Sequence, residues 1–223
     1  VPASFEVAER ARQDACGTVV DGRPYTSAVP LRLGLFGGTF DPPHVGHLVT
    51  AVNVRHALGL DRVLLMVAHD PWQKSGDRVV TPAADRFAMT AAAVDGVAGL
   101  EASDLELQRS GPTYTADTLA ALSQMHPGAE LFTIVGDDAA AGFETWERPA
   151  EVAALSRLVV VDRPGEPVEL STSFDWIRVE VPHLEVSSSD LRARANDGRP
   201  LDYLVPDEVL AVISARGLYG VGR

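Results

Sequence analysis

Short apolar runs that end at glycine or proline constrain this chain most. Leu31–Phe36 runs into Gly37-Gly38, Arg62–Ala68 contains Val-Leu-Leu-Met-Val-Ala, Leu131–Val135 ends at Gly136, and Leu158–Val161 ends before Arg163-Pro164. A strand without polar alternation is apolar on both faces, so both faces must be covered. Segments of helical spacing lie between these runs. His44–Leu58 carries Val45, Leu48, Val49 and Val52 on one stripe and halts at Gly59. Further helices are predicted from Thr81-Pro82 through Val94 with Thr81 as N-cap, and over Thr113–Met125, Ala150–Leu155, Ser187–Ala195 and Pro206–Arg216. Ile177–Val181 reads as one more strand. Buried strands alternating with helices predict an α/β domain with a doubly wound parallel sheet. Ligands of such sheets sit at the carboxyl ends of the strands, so the informative residues should follow the strands.

The pattern starts at Leu31, so residues 31–223 are expected to form the domain and residues 1–30 an extension. In the extension, Phe5–Ala15 has the look of a short polar helix, and Gly17–Pro30, rich in Gly, Pro, Asp and Ser, reads as loop. Val1–Arg12 has charged residues and no apolar core, so it is not read as a secretory signal. No apolar run approaches the roughly 18 residues of a membrane span. The lone Cys16 excludes an internal disulfide and fits a cytoplasmic setting. With 31 acidic and 19 basic residues the net charge is −12, a poor match for nucleic acid or an anionic membrane. An anionic ligand must then be held by a local positive site. Lys74 is the only lysine, which draws notice to it. The sequence leaves a homo-oligomer open.

The most informative segment is Gly37-Gly38-Thr39-Phe40-Asp41-Pro42-Pro43-His44-Val45-Gly46-His47. A strand enters two glycines, then a turn, then a helix start. Glycines let backbone N–H groups approach an anion, and the helix start adds donors and partial positive charge. His44 and His47 are three apart and share a helix face, with Gly46 leaving room beside them. Two imidazoles above such a cradle suit phosphoryl oxygens. A plain turn with two surface histidines, or a metal pair with Asp41, explains less of the pattern. A second segment, Val186-Ser187-Ser188-Ser189-Asp190-Leu191-Arg192, sets three hydroxyls at a helix start with an arginine fork one turn on. Taken alone it is an ordinary capped helix.

These segments resemble the HxGH and ISSTxxR motifs of the nucleotidylyltransferase α/β-phosphodiesterase superfamily. The first is also similar to the short motif of class I aminoacyl-tRNA synthetases, but the chain is too short for those and has no KMSKS-like sequence. Further pieces narrow the likeness: Pro71-Trp72-Gln73-Lys74, Gly111-Pro112-Thr113-Tyr114-Thr115, Gly136-Asp137-Asp138 with Trp146, Tyr203-Leu204-Val205-Pro206 and Gly217-Leu218-Tyr219. Over roughly residues 31–220 the chain resembles bacterial nicotinate-nucleotide adenylyltransferases. It departs from them in the residues before Pro71, one shorter and without a glycine, in Asp137 where alanine is usual, and in Pro149 where a second tryptophan is common.

The resemblance implies a Rossmann-like nucleotidylyltransferase fold and adenylyl transfer from ATP to nicotinate mononucleotide, giving deamido-NAD and pyrophosphate. It implies His44, His47, Lys74 and Arg192 as catalytic groups. It implies Gly37, Gly38, Thr39, Phe40, Gly136, Asp138, Ser187, Ser188 and Ser189, with the two histidines and Arg192, as the ATP site. Lys74, Thr113, Tyr114, Thr115 and Trp146 would hold the mononucleotide, and Mg²⁺ would ride on the ATP phosphates without protein ligands. Alternatives are a different phosphate acceptor, such as nicotinamide mononucleotide or phosphopantetheine, or a catalytically silent nucleotide-binding module. A cytidylyltransferase is disfavoured by the absence of an RTEGISTT-like motif.

Overall fold

The computed structural model describes residues 19–20, 23–24, 29–69, 80–109, 111–162 and 168–220. The chain divides at Pro30 into two units, Val1–Pro30 and Leu31–Arg223. In the first, β1 (Val19–Val20) pairs antiparallel with β2 (Arg23–Pro24), where the sequence suggests only loop. The helix expected over Phe5–Ala15 lies outside the described residues.

The second unit holds a six-stranded sheet: β3 (Arg32–Gly38), β4 (Arg62–Val67), β5 (Leu100–Ser103), β6 (Glu130–Gly136), β7 (Arg157–Asp162) and β8 (Trp176–Glu180). Its spatial order is β5-β4-β3-β6-β7-β8, and every pairing is parallel. This is the doubly wound order, and its switch point falls between β3 and β6. The helices are α1 (Val45–Leu58), α2 (Ala83–Val94), α3 (Thr115–Met125), α4 (Asp137–Ala141), α5 (Pro149–Leu155), α6 (Ser188–Asn196) and α7 (Asp207–Ala215).

The continuous apolar strands feed two cores at once, because successive side chains alternate between faces. Val63, Leu65 and Val67 of β4, with Phe132 and Ile134 of β6, pack with Ala51 and Val54 of α1. Leu64 and Met66, with Leu33 and Leu35 of β3, pack with Leu119 and Leu122 of α3 and Val152 of α5. So α1 and α3 cover opposite faces and both begin at the carboxyl edge of the sheet. A third cluster joins α2, α6 and α7 through Met89, Leu191, Val209 and Ile213.

One strand lies beyond the expected set, and one helix cap differs from expectation. β5 was not legible, because Leu-Glu-Ala-Ser on an edge buries only Leu100 and shows no apolar run. The N-cap of α2 is Pro82 rather than Thr81. Thr81 is instead drawn to the motif loop, its N–H donating to Asp41 Oδ2 at 3.5 Å.

Candidate active site

At the end of β3 the chain turns through Gly37, Gly38 and Thr39 into α1, and the two glycines do different work. A Cβ on Gly37 would meet nothing within 4 Å, which leaves this backbone open to a ligand. A Cβ on Gly38 would lie 2.7 Å from the Phe40 ring, so this glycine makes room for Phe40. Phe40 takes a left-handed φ of 50° and is buried. Only its backbone can face a nucleotide, while its ring stands edge-on to His47 at 5.0 Å. The absent side chain of Gly46 likewise serves neighbours rather than a ligand, since a Cβ there would be 3.0 Å from both His44 Nδ1 and Val186 Cγ1.

The His44 and His47 rings stack at 3.8 Å between centroids. The backbone N–H of His44 donates to Nδ1 of His47 at 3.2 Å. That bond assigns the proton of neutral His47 to Nε2, the nitrogen then able to donate to a phosphoryl oxygen. Burial lowers the His44 pKa from 6.5 to about 4, so His44 is neutral at pH 7. Its Nδ1 is buried with no hydrogen-bond partner among the described residues.

Asp41 is engaged by the C-terminal segment and the start of α2. Its Oδ1 accepts from the Tyr219 hydroxyl at 2.7 Å, and burial beside it raises the Tyr219 pKa. The metal-pair reading therefore loses its third ligand, and no group of three His, Cys, Asp or Glu suited to a metal occurs among the described residues. The Arg192 guanidinium donates to the Asp41 carbonyl at 2.6 Å and to Ser189 Oγ at 2.9 Å, which fixes the fork beside the motif loop. The serines divide their tasks. Ser187 caps α6 through Asp190 N–H, Ser188 donates to the Pro42 carbonyl at 2.8 Å, and Ser189 orients Arg192.

On the other face a cavity of about 260 Å³ opens beside the same glycines. Its walls include Gly37, Gly38 and Thr39, the segment Thr113–Thr115, Gly136, Trp146 and Glu106. Thr113, Tyr114 and Thr115 lead into α3, whose N-cap Tyr114 makes no side-chain cap. Trp146 is half-buried against Phe143, 5.2 Å between centroids. Arg148 stands over the Tyr114 ring at 6.0 Å and pairs with Asp117 at 2.6 Å. Pro149, the residue that departs from the family's usual second tryptophan, opens α5. Asp138 is exposed on α4, next to the cavity's Gly136 wall. Lys74, with Pro71–Gln73, lies outside the described residues.

Comparison with known proteins decides the family. A family model described as cytidylyltransferase-like matches residues 35–194. The chain is 47% identical over 192 residues to a probable nicotinate-nucleotide adenylyltransferase of Corynebacterium kroppenstedtii, covering 84% of this chain and 90% of that protein. A second, from Saccharopolyspora erythraea, is 42% identical over 190 residues, with 84% and 89% covered. The chain belongs to the nicotinate-nucleotide adenylyltransferase family. A solved structure of Plasmodium falciparum nicotinic acid mononucleotide adenylyltransferase complexed with NaAD shares the fold, at TM-score 0.70 and 17% identity over 86% of this chain and 98% of that one.

Sequence reasoning gave no site role to three residues that the structure brings to the site. Arg86 is 1% exposed and donates to the carbonyls of Thr39 at 2.9 Å, Ala68 at 2.7 Å and Thr81 at 2.8 Å, tying three loops of the carboxyl edge together. Tyr219 reaches Asp41 across 178 positions. Glu106 is buried and accepts from Thr118 Oγ1 at 2.9 Å, and burial raises its pKa. The signal for Arg86 was its place on the face of α2 that carries Met89, Ala93 and Val94. Glu106 sits in an unremarkable polar stretch, and nothing local marks it.

Proposed function

We propose that this chain transfers the adenylyl group of ATP to nicotinate mononucleotide, forming deamido-NAD and pyrophosphate in NAD biosynthesis. One observation carries the reading. The open backbone at Gly37 stands between a histidine pair with Arg192 on the α1 face and a cavity lined by Thr113–Thr115 and Trp146 on the α3 face. A phosphoanhydride on one side and a flat ring on the other can thus meet at one strand end.

The acceptor phosphate is already ionised near pH 7, so the reaction needs no protein base. One of its oxygens bonds to the α-phosphorus of ATP as the bond to the β-bridging oxygen breaks, and the electron pair leaves with pyrophosphate. The chain contributes position and charge neutralisation. His47 donates from Nε2 to an α-phosphoryl oxygen, His44 donates as a neutral imidazole, and Arg192 holds phosphate oxygens. Thr39, Gly136, Asp138 and the serines of α6 frame ATP, and Lys74 is assigned to phosphate by resemblance alone. A ring carboxylate fits the uncapped start of α3, where free N–H groups and the positive dipole end converge, with Trp146 against the ring. Mg²⁺ carried on the ATP phosphates would supply neutralisation of the charge that develops on the leaving pyrophosphate.

Among the described residues no helix is long and apolar enough to cross a membrane, and a cytoplasmic site of action is proposed with the reading. The test is chromatography of products from ATP, Mg²⁺ and a panel of acceptors: nicotinate mononucleotide, nicotinamide mononucleotide and phosphopantetheine. Deamido-NAD with equimolar pyrophosphate is expected. Turnover with phosphopantetheine alone, or none with any acceptor, overturns the reading.

A further inference from the structure

We infer that Glu106 is a positioning residue that sets the preference for an acid over an amide on the acceptor ring; the inference rests on the acceptor reading above. Glu106 is 8% exposed and belongs to the segment between β5 and α3, yet it reaches the cavity wall. Its carboxyl accepts a hydrogen bond from Thr118 Oγ1 at 2.9 Å, and the nearby Thr113 side chain favours its charged form. Thr113 precedes the N-cap Tyr114 and Thr118, fully buried, lies in the first turn that follows it. One carboxyl therefore holds the first turn of the helix through Thr118 and shares the cavity wall with Thr113, just before the helix start. Thr118 also approaches the Tyr114 carbonyl at 3.4 Å, which ties the same clamp to the N-cap backbone.

Tyr114 provides no side-chain cap, so the first N–H groups of α3 owe their direction to this clamp rather than to a cap. A carboxylate gains from several fixed donors at once, whereas a carboxamide brings its own N–H₂ toward them. Preference for the acid thus depends on how rigidly the donors are aimed. Beside Glu106 lies Arg109, whose terminal guanidinium nitrogens are buried without hydrogen-bond partners among the described residues. It compensates charge next to the clamp without touching the cavity.

The experiment measures kcat and KM of the full chain for nicotinate mononucleotide, nicotinamide mononucleotide and ATP, in wild type, Glu106→Ala, Glu106→Gln and Thr118→Val. Glu106→Ala is expected to raise KM for the acid by about tenfold, with the acid-to-amide ratio of kcat/KM falling as much and KM for ATP within about twofold. Glu106→Gln keeps an oxygen acceptor for the Thr118 hydroxyl and should stay within about threefold of wild type. Thr118→Val removes one donor behind the cavity wall and should shift KM for the acid about threefold in the same direction. An unchanged or increased acid-to-amide ratio in Glu106→Ala overturns the inference, the increase meaning that Glu106 faces the amide. Glu106→Gln as impaired as Glu106→Ala overturns it too, since charge and not position would then matter. If circular dichroism shows Glu106→Ala unfolded, an unchanged KM in Thr118→Val is the overturning result. A wild type that forms no deamido-NAD removes the acceptor reading and this inference together, whereas normal wild-type turnover with unresponsive variants removes the inference alone.

Discussion

The α1 half and the α3 half of the site share Gly37, Gly38 and Thr39 but are built differently. The α1 half is made of residues close in sequence, 37–47, fastened from behind by Arg192, Tyr219 and Arg86. Its histidines are pressed into the structure, with His44 7% exposed. The α3 half draws Glu106, Thr113–Thr115 and Trp146 from three separate segments around an open cavity. Chemistry common to all adenylyl acceptors needs a rigid donor set, which a compact motif provides. Acceptor choice needs a shaped hollow, which distant segments can reshape without disturbing that motif.

This contrast predicts that damage to the α1 half is large and blind to the acceptor. His47→Ala should lower kcat by about 10²–10³ for acid and amide alike, since one preorganised donor to the reacting phosphate is lost. Steady-state kinetics with circular dichroism as a fold control checks this, and a near-normal kcat in the folded variant removes the role of His47.

Burial of His44 carries a pH signature in stability. Its pKa is 6.5 by reference and about 4 when folded, so the unfolded chain binds the proton more tightly. Stability should therefore be full above about pH 6.5 and fall as pH drops toward 4, by up to about 3 kcal/mol from this group. Urea melts across that range, compared with His44→Asn, test it; a variant with the same slope as wild type contradicts the assignment.

The α3 half should discriminate instead. The acid mononucleotide should be used at least about tenfold better than the amide by kcat/KM. Trp146→Ala should raise KM for the mononucleotide by about tenfold, with ATP little affected. Equal use of both mononucleotides would mean that the donors at the start of α3 are not aimed at the ring substituent.

The smallest effect is expected outside both halves. Deleting residues 1–30 should change kcat/KM by less than about tenfold, because no residue assigned to either half lies there. A larger loss would show that the extension completes one of them.

Much of this was legible in the chain itself. Runs such as Val-Leu-Leu-Met-Val dictate strands covered on both faces, and Gly59 at a left-handed φ of 58° ends α1 where the periodicity stops. His44, His47, Ser189 and Arg192 announce themselves because a helix start holds its donors within a few residues of one another. The distinct roles of Gly37 and Gly38, the neutral state of His44 and the division of labour among Ser187, Ser188 and Ser189 were decided only by what packs against each of them. Local sequence encodes backbone direction and donor spacing, since both depend on near neighbours. Burial, desolvation and contacts such as Tyr219 to Asp41 or Glu106 to Thr118 depend on which distant segments the fold brings together. The doubly wound sheet sets them side by side at its carboxyl edge, and that placement determines which side chains are spent on structure and which line the open cavity.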